Sequence, residues 1–234
     1  MKKYIALITI FSLVGLVGYS LAGYSLVNAD DTSSAPAAAE KSTAKVVKKS
    51  AQKDYRHPDI VMGDPNAPVT IIEYASFTCP HCASFHAQVL PLVKESYIDT
   101  GKAKFIFRDF PLDRKALMAS VTTRCVPEAN FYKVVSFLFS KQMTWAQEEN
   151  PAAWMRQVAL ANGADGEEFE ACFNNEAVIK GVAQNRLLGS QEHKITSTPS
   201  FVVNGKVVSG GRDFKYFRQI IDEALAGSTQ ASKN

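Results

Sequence analysis

The sequence has little excess charge, and its basic residues do not cluster. Lys and Arg number 26 against 23 Asp and Glu, a formal net charge of +3 in 234 residues. Because the basic residues are spread along the chain, a nucleic-acid partner is not expected. Apolar residues make up 46% of the chain and charged residues 21%, a balance that excludes wholesale disorder. About 180 residues remain for a globular core, which suits one domain, or one domain with a large insertion.

Closely spaced cysteines are also scarce. Of the four cysteines, only Cys79 and Cys82 form a Cys-x-x-Cys motif, and the other two lie far apart. A structural zinc site, with His81 or His86 as a further ligand, usually has a second close pair. An inert structural disulfide is disfavoured as well, because so short a loop stabilises little by chain entropy. The motif therefore favours redox chemistry, and no metal or cofactor is expected.

The first 29 residues have the parts of a secretory signal. Lys2 and Lys3 precede a mostly apolar run over residues 4–27, and small residues lead to a cleavage position after Ala29. The run is also long enough to cross a bilayer as an uncleaved anchor. Signal peptide and membrane anchor both remain open over residues 1–29, and both export the rest of the chain.

Residues 30–56 are polar and then Lys-rich, and they predict a flexible linker. A short helical arm over residues 37–53, able to pair with other chains, is the alternative interpretation. Globular sequence starts at residue 57, and residues 228–234 form a polar tail.

Hydrophobic periodicity predicts a strand at residues 69–76, followed by the cysteine motif and an amphipathic helix. Pro91 within that helix predicts a kink. A second strand is expected at residues 104–107. These elements belong to the first part of a globular α/β domain, residues 57–111, which resumes at residues 195–227.

Between residues 112 and 194 the sequence predicts an inserted helical domain without strands. The helices are expected at residues 116–124, 130–141, 152–162, 167–174 and 178–193. Strand patterns return at residues 200–203 and 206–209, joined by a tight Asn204-Gly205 turn. A last amphipathic helix follows.

The cysteine motif lies where a strand passes into a helix. The helix N-terminus favours a thiolate at Cys79, because its backbone N–H groups and its dipole stabilise an anion. Cys82 is expected one turn further in and more buried, which gives the attacking and resolving thiols that disulfide exchange needs. Pro80 fits the first helical turn, and the His81 ring can stabilise the thiolate. Since the thiolate exists only in the reduced form, the motif predicts an oxidant.

Two segments together resemble the DsbA family of bacterial periplasmic oxidases. These are Phe-Thr-Cys-Pro-His-Cys at residues 77–82 and Ser-Thr-Pro-Ser-Phe-Val-Val-Asn-Gly at residues 197–205, within a likeness over residues 58–226. The resemblance implies an α/β thioredoxin fold with an inserted α-helical domain at residues 112–194.

The resemblance also implies roles for individual residues. Cys79 would be the nucleophile and Cys82 the resolving cysteine. Pro199 would be the family's cis-proline, and Thr198 would offer its backbone to substrate. Glu73 would be a buried acid that relays protons to the resolving cysteine. An ordinary strand-entry proline and a strand-edge carboxylate are the alternatives for Pro199 and Glu73.

The expected export also determines the expected redox state of the second cysteine pair. In an oxidising compartment Cys125 and Cys172 are expected to form a structural disulfide, with two free thiols as the alternative.

The leading function is an oxidase, periplasmic or secreted, that acts on reduced or unfolded exported polypeptides and is reoxidised by a DsbB-like membrane protein. A disulfide isomerase or reductase is the alternative function. A non-enzymatic chaperone or zinc-binding module is a third.

Overall fold

The computed structural model describes residues 57–231. The expected signal or anchor at residues 1–29, the linker at residues 30–56 and the arm at residues 37–53 lie outside these residues. Within them, no helix is both long enough and apolar enough to cross a membrane.

A five-stranded sheet forms the centre of the fold. Its strands are β1 (Val61–Met62), β2 (Val69–Ala75), β3 (Ala103–Asp109), β4 (Ser200–Val203) and β5 (Lys206–Ser209). The strand order is β1-β3-β2-β4-β5. β2 pairs with β3 in parallel and with β4 antiparallel, and the remaining pairs are antiparallel. β2 therefore occupies the middle of the sheet, and its C-terminal end leads to the cysteine motif.

The helices come in three groups. A continuous helical segment after β2 consists of α1 (Pro80–Ser84), a π-helical turn (Phe85–Val89), α2 (Leu90–Val93) and a second π-helical turn (Lys94–Ile98). Between β3 and β4 lie α3 (Arg114–Arg124), α4 (Phe131–Ser140), α5 (Gln142–Trp145), α6 (Ala152–Ala161), α7 (Gly166–Phe173) and α8 (Glu176–Glu192). The last is α9 (Phe214–Ala231), so part of the expected tail at residues 228–234 is helical. The predicted α/β fold with a helical insertion is confirmed.

Pro91 lies in the short α2, directly after the π-helical turn Phe85–Val89. Pro91 has no backbone N–H to donate, and just before it the N–H of Leu90 donates to the carbonyl of Phe85, five residues back. The helical hydrogen bonding changes just before Pro91, and the kink expected there remains a prediction.

Side chains alternate between the two faces of β2. On one face, Ile71 joins a large core that contains Phe85, Phe201 and Phe217, with ring centroids 4.7 Å apart for both the Phe85–Phe201 and Phe201–Phe217 pairs. On the other face, Tyr74 belongs to a smaller cluster. Each fully buried Phe contributes about 1.5–3 kcal/mol to the free energy of unfolding.

The inserted helices are joined to this sheet by packing and by a covalent bond. Phe139 of α4 stacks on Phe77, two residues before Cys79, with centroids 4.7 Å apart. Cys125, after α3, and Cys172, in α7, form a disulfide with their Cα atoms 5.7 Å apart. The segment that carries the cysteine motif is thus packed between the sheet and the insertion.

Candidate active site

Cys79 lies at the junction between β2 and α1. Its backbone is extended, with φ −83° and ψ 117°, and Pro80 takes the first helical position. The N–H groups of Cys82 and Ala83 donate to the carbonyl of Cys79 at 3.1 and 3.2 Å. The loop that joins β2 to α1 turns just before the helix, because the N–H of Cys79 donates to the carbonyl of Ser76 at 3.0 Å.

The loop before β4 faces this junction. The peptide bond between Thr198 and Pro199 is cis. The sulfur of Cys79 lies 3.3 Å from the carbonyl oxygen of Thr198, to which it can donate when the thiol is protonated. Two segments that are distant in sequence therefore meet at one sulfur atom.

The surroundings of Cys79 favour its thiolate. Its pKa is lowered from 9.0 to about 5, first by the thiol of Cys82, then by the Thr198 side chain and by the backbone N–H groups of Cys82 and His81. Burial opposes these contributions. Although only 7% of its surface is exposed, hydrogen-bond donors outweigh the cost of burying the charge. Cys79 is therefore ionised at neutral pH.

His81 itself is exposed. Among the causes of the lowered Cys79 pKa, His81 acts through its backbone N–H. An effect of the imidazole ring on Cys79 remains a prediction.

Cys82 has the opposite character. It is fully buried, and burial is the main cause that raises its pKa, followed by its interaction with Cys79 and the negative charge of Glu73. Both cysteines are free thiols in this structure. The pair thus combines a thiolate near the surface with a protonated thiol inside the protein.

Glu73 lies in the central strand β2 and is fully buried. One of its carboxylate oxygens, Oε2, is 2.8 Å from Nε2 of His86, which lies in the helical segment after Cys82. Sequence reasoning considered His86 only as a zinc ligand. The sequence did offer one indication of a role beside the dithiol: His86 follows Cys82 by four residues, which places both side chains on the same face of a helix. Among residues 57–231, no group of three or more His, Cys, Asp or Glu side chains is arranged to hold a metal ion.

Gln142 also holds the motif in place, and nothing in the sequence singled it out. Its side chain is buried, and Nε2 donates to the carbonyls of Phe77 at 2.7 Å and Cys79 at 3.0 Å. Gln142 opens the short helix α5, which the sequence patterns did not predict. Through these two hydrogen bonds, the inserted helices hold the backbone of the cysteine motif in place.

Replacing Gln142 by leucine is expected to lower the free energy of unfolding by about 1–3 kcal/mol, since a buried carbonyl then lacks its donor. Urea denaturation of the variant measures this loss. The matched control is Gln157→Leu, at an exposed helical position. Equal losses of unfolding free energy in the two variants would contradict a stabilising role for the Gln142 hydrogen bonds.

A cleft of about 410 Å³ adjoins the motif and is lined by His81, Phe85, Leu92 and Phe214, among others. A cavity of about 420 Å³ lies between α4 and α6, lined in part by Phe137 and Trp154. The second cavity includes no residue of the motif, so its size does not make it the reacting site.

Comparison with known proteins agrees with this geometry. The family model described as thioredoxin matches residues 56–223. A Rickettsia felis protein named "Putative protein-disulfide oxidoreductase" is 30% identical over 177 residues, which cover 75% of this chain and 63% of that protein. The chain thus spans slightly less than two thirds of the length of that relative. "Disulfide bond formation protein D" of Bacillus subtilis is 27% identical over 177 residues, which cover 71% of this chain and 77% of that protein.

Among solved structures, alpha-DsbA1 of Wolbachia pipientis superposes with a TM-score of 0.68 at 32% identity, covering 74% of this chain and 94% of that one. The five-stranded sheet with its helical insertion is therefore a thioredoxin fold. The family match and these similarities show that the chain belongs to the thioredoxin superfamily, as a member of the DsbA-like thiol:disulfide oxidoreductases.

Proposed function

We propose that this protein is an exported oxidase that introduces disulfide bonds into polypeptides through Cys79 and Cys82. The observation that carries the proposal is the contrast between the two thiols, a Cys79 with its pKa lowered to about 5 and a buried Cys82 with its pKa raised. Stabilising a thiolate stabilises the reduced form, so the disulfide form gives up its bond readily to a substrate.

The reaction begins with the disulfide form. A substrate thiolate attacks the sulfur of Cys79, the Cys79–Cys82 bond breaks, and Cys82 leaves as a thiolate that takes up a proton. A second substrate thiolate then attacks the substrate sulfur of the mixed disulfide, and Cys79 leaves as a thiolate. The substrate gains one disulfide and loses two electrons, and the protein dithiol gains them. A low pKa at Cys79 favours the second step because it makes Cys79 a good leaving group.

The substrate-binding surface is assigned to the loop of Thr198 and Pro199 and to the cleft beside His81. The Thr198 carbonyl lies within hydrogen-bonding reach of Cys79, so it can accept from the backbone of a substrate that occupies this position. The apolar side chains of the cleft suit unfolded polypeptide, which exposes such groups.

The compartment is proposed to be the periplasm or the exterior, reached through residues 1–29 as a signal or as an inner-membrane anchor. The Cys125–Cys172 disulfide supports export, since such bonds persist in oxidising compartments. The reduced enzyme needs a two-electron acceptor, and a DsbB-like membrane protein is proposed for this role.

Equilibration in glutathione buffers tests the proposal, together with assays on a reduced polypeptide and on one with scrambled disulfides. An oxidising potential and rapid oxidation of the reduced polypeptide are expected. A potential near that of thioredoxin, without oxidation, would reject the oxidase. Rearrangement of the scrambled polypeptide without oxidation of the reduced one would favour the isomerase.

Replacing His81 by leucine is expected to make the reduction potential more reducing by roughly 30 mV, a tenfold change in the equilibrium constant. The reason is the loss of a ring that can stabilise the Cys79 thiolate. The measurement is the glutathione equilibrium, with His57→Leu as the control because the His57 ring contacts the Val178 carbonyl instead. An unchanged potential in His81→Leu would show that the ring has no part in tuning the dithiol.

A further inference from the structure

A buried polar pair lies behind the dithiol and has no assigned role as a pair. The side chain of Glu73 is fully buried, that of His86 is 3% exposed, and Oε2 of Glu73 lies 2.8 Å from Nε2 of His86. The other polar atoms of the pair, Oε1 of Glu73 and Nδ1 of His86, have no hydrogen-bond partner among residues 57–231. The pair is therefore isolated except for the bond between its members.

The surroundings of His86 are aromatic. Its ring stacks on Phe139 with centroids 4.2 Å apart. It also makes T-shaped contacts with the rings of Phe85, Phe105 and Phe107. The tautomer with its hydrogen on Nε2 fits this shell, because Nδ1 then carries no hydrogen and needs no acceptor. In this tautomer His86 donates to Glu73 and holds the carboxylate in one orientation.

The chemistry at Cys82 requires a proton carrier inside the protein. Cys82 is fully buried, so bulk water does not reach its sulfur when the proton enters or leaves. The negative charge of Glu73 contributes to the raised pKa values of Cys82 and Tyr132. The Tyr132 hydroxyl has a single hydrogen to donate, and the backbone carbonyls of Ile60, at 2.6 Å, and Phe105, at 3.1 Å, lie within its reach. Glu73 is bonded to His86, one helical turn after Cys82, and its Oε1 has no hydrogen-bond partner among the described residues, so Oε1 is the acceptor that the inference assigns to the Cys82 proton.

We propose that His86 is a positioning residue, whose Nε2–H holds Oε2 of Glu73 so that Oε1 is free to exchange the proton of Cys82. This inference rests on the proposed function. When Cys82 resolves a mixed disulfide, its proton passes to Oε1 and its sulfur attacks the sulfur of Cys79. A new Cys79–Cys82 bond forms, and the partner thiolate leaves with the electron pair of the broken bond. In the opposite direction Glu73 returns the proton to Cys82.

Two-step reduction of dithiobis(nitrobenzoate) by the reduced full-length protein separates the two thiols. In the first phase Cys79 attacks the reagent and releases one coloured thiolate. In the second phase Cys82 attacks the mixed disulfide and releases another. Stopped-flow absorbance resolves both phases.

His86→Leu is expected to slow the second phase about tenfold or more, since a positioned proton acceptor contributes ~10²–10⁴-fold, and to leave the first phase unchanged. His86→Gln keeps a donor at this site and is expected to restore the second phase. Phe105→Leu is the packing control, because it alters the aromatic shell of His86 and leaves the bond to Glu73 in place. A role of His86 in packing alone would not produce rescue by glutamine.

A comparison of Glu73→Gln with the double variant Glu73→Gln/His86→Leu provides the second test, and it does not require the single variant His86→Leu to fold. In a Glu73→Gln background, His86→Leu is expected to cause no further slowing, because His86 acts only through Glu73. Three results would each overturn the inference and leave the proposed oxidase activity standing. They are a slower second phase when His86→Leu is added to Glu73→Gln, a second phase at the wild-type rate in His86→Leu, and no recovery of the rate in His86→Gln. A wild-type protein that performs no exchange would reject the proposed function together with the inference.

Discussion

Replacing Cys79 by serine is expected to abolish the oxidation of reduced polypeptides completely. In the proposed mechanism the substrate attacks the sulfur of Cys79, and its lowered pKa of about 5 makes it the favourable leaving group. A serine hydroxyl forms no disulfide and is not ionised at neutral pH. The measurement is the rate at which a reduced polypeptide regains its disulfides, compared with the uncatalysed rate.

The Cys82→Ser variant distinguishes the roles of the two thiols. This variant keeps the reactive Cys79 and lacks the resolving thiol, so its reduced form is expected to accumulate mixed disulfides with disulfide-containing polypeptides. The control is the double replacement of Cys125 and Cys172 by serine, which removes the disulfide of the insertion and is expected to keep exchange activity. Oxidation by Cys79→Ser at the wild-type rate would refute the assignment of the nucleophile.

Local sequence patterns were sufficient for most of the fold. The alternating and continuous apolar runs correctly located the strand before the motif, observed as Val69–Ala75. They also located the hairpin strands Ser200–Val203 and Lys206–Ser209. The five helices predicted in the insertion are all present, because each has apolar residues at helical spacing and a local stop signal. Those features depend on neighbours in sequence.

The parts that sequence reasoning missed depend on contacts between distant residues. Gln142 lies in a four-residue helix too short for a periodic pattern, and its role appears only when α5 packs against the loop at Phe77. The bond between Glu73 and His86 joins a strand and a helix, and only the fold reveals that it is buried. Charged and polar residues in apolar segments are thus where the structure added most.

The reduced protein is expected to be more stable than the disulfide form, by an amount that increases from pH 5 to pH 9. Folding lowers the pKa of Cys79 from its ordinary 9.0 to about 5. The resulting stabilisation is complete above the unfolded value of 9.0 and is lost as the pH falls through about 5. Each pH unit in this window corresponds to about 1.4 kcal/mol. Because the Cys79 sulfur lies close to the protein surface, solvent screening reduces the expected difference at pH 7 to about 1–2 kcal/mol.

Thermal and urea unfolding of both forms at pH 5, 7 and 9 measures the difference, which corresponds to roughly 2–8 °C in Tm at pH 7. Reduction must spare Cys125–Cys172, which thiol counting verifies. Above pH 9 the raised pKa of Cys82 works against the reduced form, because the unfolded thiol ionises there and the buried one does not. Cys79→Ala has no disulfide form at the motif, so the comparison uses reduced proteins alone: the gain in unfolding free energy between pH 5 and 9 that Cys79 gives the reduced wild type is expected to be absent from the variant. A difference independent of pH, or a disulfide form that is the more stable at pH 8, would show that the Cys79 thiolate does not drive oxidation.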